Sequence, residues 1–111
     1  MDVMEDPDAY FTVAVQEGTI PLVVATGELD AASSKDLEEV LRATSPSAEG
    51  VALDLSAVSF IDSSGLRVIT AMVRDAEADG HPFQVVGASD AVRRIFEITG
   101  LGELLPAEPA S

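Results

Sequence analysis

The stretch from Val51 to Ile69 constrains this chain more than any other. The apolar run Val51-Ala52-Leu53-Asp54-Leu55 leads through Ser56-Ala57-Val58-Ser59-Phe60-Ile61 to Asp62-Ser63-Ser64-Gly65-Leu66, and an apolar pattern of helical period follows. A short strand this apolar belongs in the middle of a covered sheet. The two serines therefore fall at a strand-to-helix switch, where a helix N-terminus opens toward solvent. Such a position presents a hydroxyl to a partner and tolerates added negative charge. It reads as a phosphorylatable switch more than as an active site.

The flanking segments complete an alternating pattern. Tyr10 to Val15 and Leu22 to Thr26 read as strands joined through the turn Gln16-Glu17-Gly18-Thr19, an antiparallel hairpin. Pro21 cannot donate to a ladder and belongs at a strand start or an edge. Gly27-Glu28-Leu29-Asp30 leads into a helix over about residues 32–44, with Leu37, Val40 and Leu41 as its apolar stripe. Asp30, Ser33 and Ser34 are its candidate caps. Ser45 to Gly50 breaks it, and Val51 to Leu55 is the covered strand. A second helix is expected over about residues 64–78, with Leu66, Ile69, Val73 and Ala76 on one face and Asp79-Gly80-His81-Pro82 as its stop. Phe83 to Val86 is another strand. Asp90 is the expected cap of a third helix, Ala91 to Thr99, with Val92, Ile95 and Phe96 inward and Gly100 at its end. Leu101 to Leu105 is a short last element.

A hairpin followed by alternating helices and mostly parallel strands defines a single α/β domain. Its expected extent is residues 9–105, between a flexible acidic segment over 1–8 and a flexible tail over 106–111. No internal repeat or linker divides it.

Composition narrows the function classes. With 47% apolar residues the 111-residue chain should fold and bury a core. Twenty acids against 6 bases give a net charge of −14, which disfavours nucleic acid and anionic membranes and steers a basic protein partner toward the surface. No apolar run approaches a membrane span and no secretory leader is visible. Cysteine is absent, so disulfides and thiolate metal ligands are excluded. A cytoplasmic protein is the expectation.

Catalytic signatures are missing. A nucleophile elbow needs glycines two residues either side of its serine, but Ile61 precedes Ser63 and Asp62 precedes Ser64 at that spacing. The only histidine, His81, lies in a turn-like segment. No Gly-rich phosphate loop ends in Gly-Lys-Ser/Thr. Asp54 and Asp62 could be drawn as a magnesium pair, but Asp54 reads as a polar residue near a strand end and Asp62 as the cap of the second helix. Neither a metal nor a cofactor is expected, and the chain does not read as an enzyme.

The segment VALDLSAVSFIDSSGLRVI, residues 51–69, resembles the signature of anti-anti-sigma factors, members of the STAS domain family. Gly27-Glu28-Leu29-Asp30 matches the family's second characteristic segment. Ala91 to Phe96, followed by Thr99-Gly100-Leu101, resembles its third. The resemblance covers nearly the whole chain apart from the ends. It implies a partner-switching cycle. The unphosphorylated protein binds an anti-sigma factor and frees a sigma factor, a regulator of transcription in responses such as stress. The anti-sigma factor, itself a serine kinase, phosphorylates the antagonist and releases it. A serine phosphatase resets the cycle. On this alignment Ser63 is the phosphoacceptor, with Ser64 as second choice. Asp30, Asp62, Ser63, Ser64 and Gly65 form the expected partner-binding set. For Asp30, helix capping and docking stand as equal alternatives. Leu66 and Ile69 are read as core residues in preference to partner contacts. Two alternatives remain: a constitutive STAS scaffold in a signalling assembly, and a small-ligand-binding STAS module.

Overall fold

In the computed structural model, residues 10–106 are described. The acidic segment expected over 1–8 and the tail expected over 106–111, Pro106 apart, lie outside these residues. The opening hairpin forms from β1 (Phe11–Gln16) and β2 (Leu22–Leu29), antiparallel, with Gln16 opposite Leu22 and Phe11 opposite Gly27. Pro21 sits just ahead of β2, where its missing N–H breaks no ladder bond and its carbonyl accepts from the Ala52 N–H at 3.0 Å.

Helix α1 (Ala31–Ala43) crosses to β3 (Val51–Ile61), which lies parallel to β2. Helix α2 (Ser63–Asp79) then crosses to β4 (Phe83–Ala88), parallel to β3. The strand order is β1-β2-β3-β4. Helices α1 and α2 pack on each other, as successive right-handed crossovers onto one face require. Helix α3 (Asp90–Ile98) and a 3₁₀ turn (Gly102–Leu104) close the domain. Leu29, Leu37, Leu53, Leu55, Ile69 and Phe96 are fully buried in one continuous core.

Three local expectations are corrected. First, the strands run further than the periodicity suggests. β2 continues through Gly27-Glu28-Leu29, and β3 continues through Ser56 to Ile61. Register shifts between Val24 and Thr26 and between Gly27 and Glu28 disturb the simple alternation that marks a strand in sequence. Second, the buried face of α2 is Gly65, Val68, Ile69, Met72 and Ala76, not a stripe through Val73. Leu66 is half-buried against the core and Ile69 is 1% exposed. Third, Ser89 rather than Asp90 caps α3. Its hydroxyl accepts from the Val92 N–H at 3.2 Å and donates to the Val58 carbonyl of β3. That second bond ties α3 to the sheet, which a carboxylate could not do.

Helices α2 and α3 close with left-handed glycines, whereas α1 ends at Thr44 in extended backbone. Gly80 and Gly100 each have φ of 80°. At α3 the Leu101 N–H reaches the Phe96 carbonyl at 2.7 Å and the Gly100 N–H reaches that of Glu97 at 3.2 Å, a Schellman pattern.

Candidate functional site

The site is set by how β2 and β3 end. Leu29 and Ile61 are register partners, and the Asp62 N–H donates to the Leu29 carbonyl at 3.2 Å. The next residues, Asp30 and Asp62, are the N-caps of α1 and α2. Two helix starts are thereby held side by side at the C-terminal end of the parallel strands.

Asp30 closes a capping box. Its carboxylate accepts from the N–H groups of Ala32 at 3.1 Å and Ser33 at 3.0 Å, and its own N–H donates to Ser33 Oγ at 2.8 Å. The buried Ser33 hydroxyl donates in turn to the Glu28 carbonyl at 2.7 Å. The bond from the Ser33 N–H is the main reason the Asp30 carboxyl lies below its ordinary value of 3.8. Capping, one of the two roles open to Asp30, is therefore present in the free protein. The Tyr10 hydroxyl points at the same carboxylate from 3.5 Å. Partial desolvation, and then Asp30, raise the Tyr10 phenol above its ordinary 10.0.

Asp62 caps α2 more simply, accepting from the Ser64 N–H at 2.9 Å and the Gly65 N–H at 3.3 Å. Ser63, the first residue of α2, is exposed, and its hydroxyl makes no hydrogen bond within the described residues. Ser64 is half-buried and faces the groove between α1 and α2. Gly65 is where the helix meets the sheet. A Cβ there would lie 2.8 Å from Ile61 Cγ1 and 2.9 Å from Leu29 Cγ and Cδ2. The same two residues that pair the strands also demand the glycine.

The structure brings together all five residues expected to form the site and adds three that the sequence reading missed. Tyr10, Glu28 and Phe60 form one cross-strand row: the Glu28 N–H donates to the Tyr10 carbonyl at 2.8 Å, and Glu28 is the register partner of Phe60. Their neighbours Leu29 and Ile61 point inward, so this row points outward. Tyr10 is 49% and Phe60 47% exposed, beside the carboxylates of Glu28, Asp30 and Asp62. Ile61 was the available signal. Once it is taken as the inward end of β3, alternation places Phe60 outside.

The remaining candidates lie apart. Asp54 is mid-strand, not at a strand end; its carboxylate accepts from the Ser56 N–H at 2.9 Å and from the Ser56 hydroxyl, at the register shift between Leu53 and Asp54. Eight residues of extended chain, roughly 25 Å, separate it from Asp62. His81 follows the far end of α2, one helix length from Ser63, or about 25 Å. No histidine is thus placed to activate Ser63. Among the described residues no three His, Cys, Asp or Glu side chains converge as metal ligands. No helix of the described residues is long and apolar enough to cross a membrane.

This geometry agrees with what the chain is similar to. A family model described as "Mlab, STAS domain" matches residues 13–106. An anti-sigma-B factor antagonist of Staphylococcus aureus is 34% identical over 80 residues, covering 71% of this chain and 74% of that protein. The crystal structure of an anti-sigma factor antagonist from Mycobacterium paratuberculosis superposes with a TM-score of 0.76 at 31% identity, covering 96% of this chain and 92% of the other. The Bacillus cell fate determinant SpoIIAA in its phosphorylated form shares the fold, with a TM-score of 0.66 at 21% identity over 88% of this chain and 92% of that one. The chain belongs to the STAS domain family. The relatives that match most of its length are antagonists of anti-sigma factors.

Proposed function

We propose that this protein is an anti-sigma factor antagonist of the cytoplasm, switched off by phosphorylation of Ser63. One observation carries the choice of residue. Ser63 is the exposed, unbonded hydroxyl at the start of α2, between the Asp62 cap and the groove that holds Ser64. A kinase needs a hydroxyl it can reach without first breaking a bond. Ser64 fits less well because it is half-buried.

The partner is an anti-sigma factor with serine kinase activity, and a serine phosphatase reverses the modification. In the unphosphorylated state the outward row of Tyr10, Glu28 and Phe60, with the capped ends at Asp30, Asp62 and Gly65, offers apolar area and acceptors for a partner. Phosphoserine adds about −1.5 to −2 charges. The helix dipole and the free amides of the first turn offset part of that charge within the fold. Against a partner carboxylate 6 Å away in water, two charges cost about 1.4 kcal/mol, or roughly tenfold in affinity. A clean reversal from bound to free needs about 5.5 kcal/mol. Ser63 is therefore buried in the complex, so that phosphate adds steric and desolvation costs to repulsion.

A pull-down from native lysate with Ser63→Ala and Ser63→Asp baits tests this reading. A kinase-like ATPase held by the alanine bait and lost by the aspartate bait supports it. Equal capture by both baits replaces it with a constitutive scaffold. Phosphopeptide mapping that finds Ser64 alone modified moves the site by one residue.

A further inference from the structure

The surface around Ser63 changes sign of charge at the serine pair. On one side stand Glu28, Asp30 and Asp62. On the other, the groove between α1 and α2 is floored by Val68 and Ala71 and rimmed by Lys35 and Arg67, with Ser64 at its mouth. Two of the chain's 6 basic residues therefore bracket one apolar groove of about 360 Å³ in a protein of net charge −14.

These two cations are also unclaimed. The described residues contain ion pairs from Arg42 to Glu38 and Asp75, both at 3.0 Å, and none from Lys35 or Arg67. Glu38 is the acid nearest at hand, since it lines the same groove. Its carboxylate instead takes two bonds from Arg42, at 3.1 and 3.0 Å. Arg42 thus engages the one carboxylate that lines the groove.

We infer that the α1–α2 groove docks an acidic segment of the anti-sigma factor, apolar where it meets Val68 and Ala71 and carrying carboxylates opposite Lys35 and Arg67. The inference rests on the function proposed above and adds the chemistry of the partner surface. A partner matching both halves presents a basic patch to Glu28, Asp30 and Asp62 and an acidic one to the groove. A boundary of this kind fixes register and excludes partners of uniform charge, since like charges brought together at an interface cost several kcal/mol. It also places the Ser63 phosphate on the dividing line. Lys35 and Arg67 are accordingly assigned as specificity-determining residues.

The test uses full-length protein and the ATPase recovered by the Ser63→Ala bait, with affinity measured by calorimetry at two salt concentrations. Lys35→Glu/Arg67→Glu should weaken binding at least thirtyfold, and Lys35→Gln/Arg67→Gln about tenfold with a shallower salt dependence. Arg74→Glu, on the same helix outside the groove, should bind within twofold of wild type. A photo-crosslinker at Ala71 should capture a partner peptide rich in Asp and Glu. Unchanged affinity in the glutamate double variant, or a captured peptide that is basic, overturns the inference and leaves the antagonist function standing. Failure of the wild-type protein to bind any anti-sigma factor overturns both. Melting curves of the variants separate loss of fold from loss of docking.

Discussion

The Asp62 N–H donates to the Leu29 carbonyl at 3.2 Å, and this bond aligns the starts of two helices. It is the last rung of the β2–β3 ladder. Because both strands then turn into helices through an aspartate cap, the two caps cannot drift apart without breaking the sheet. Sheet register therefore fixes the spacing of the proposed switch surface.

Gly65→Ala should destabilise the protein although it replaces glycine inside a helix. The propensity gain is at most about 1 kcal/mol. Against it stands a Cβ within 2.9 Å of Leu29, which is fully buried, and 2.8 Å from Ile61, which is 4% exposed. Overpacking of this kind costs about 1–3 kcal/mol. Chemical denaturation should show a net loss of up to about 2 kcal/mol. A variant as stable as wild type would mean that α2 does not seat on the sheet as closely as described.

Asp30 makes stability depend on acid. Its folded carboxyl lies below the ordinary 3.8, chiefly through the Ser33 N–H bond. A depressed carboxyl contributes stability that is fully present above the unfolded value and lost as pH falls through the folded one. Asp30→Asn keeps a capping acceptor but no charge. The melting temperature of wild type should exceed that of Asp30→Asn at neutral pH, and the gap should close below pH 3.8. A constant gap across that range would assign the difference to cap geometry instead of charge.

Much of this arrangement is legible in the sequence, and the losses have identifiable causes. The element order, the hairpin, the parallel crossovers and the Asp62 cap follow from periodicity and capping rules. The ends of β2 and β3 do not, because register shifts break the two-residue period where Gly27, Ser56 and Ala57 fall. With those ends lost, the outward row of Tyr10, Glu28 and Phe60 is lost too, since it exists only in the register. Ser89 shows a second cause. Both Ser89 and Asp90 are good caps by residue type, and the tertiary bond to the Val58 carbonyl decides between them. The charge boundary at Lys35 and Arg67 needs the contact of two helices, which no local pattern encodes.

Phe60→Ala separates partner binding from folding. The side chain is 47% exposed, so its removal should lower stability by only about 0.8–1.5 kcal/mol. As an aromatic residue at the centre of the switch surface it should weaken anti-sigma factor binding about tenfold or more, the level of an interface anchor. Calorimetry with the captured ATPase and a thermal melt measure the two quantities. Equal binding by the variant would move the interface off the outward row and onto the helix side alone.

Ser63→Ala should be nearly silent in the free protein and decisive in the cycle. The Ser63 hydroxyl makes no hydrogen bond within the described residues and is exposed, so its loss should shift stability by no more than about 0.5 kcal/mol. The capping bonds of Asp62, to the N–H groups of Ser64 and Gly65, are untouched. Binding to the anti-sigma factor should persist, and incubation with that partner and ATP should no longer release it. Phosphoserine installed at position 63 should do the reverse, preserving the fold while weakening binding well beyond the tenfold that screened repulsion supplies. A loss of only tenfold would mean that Ser63 stays solvated in the complex and that the steric and desolvation contributions are absent.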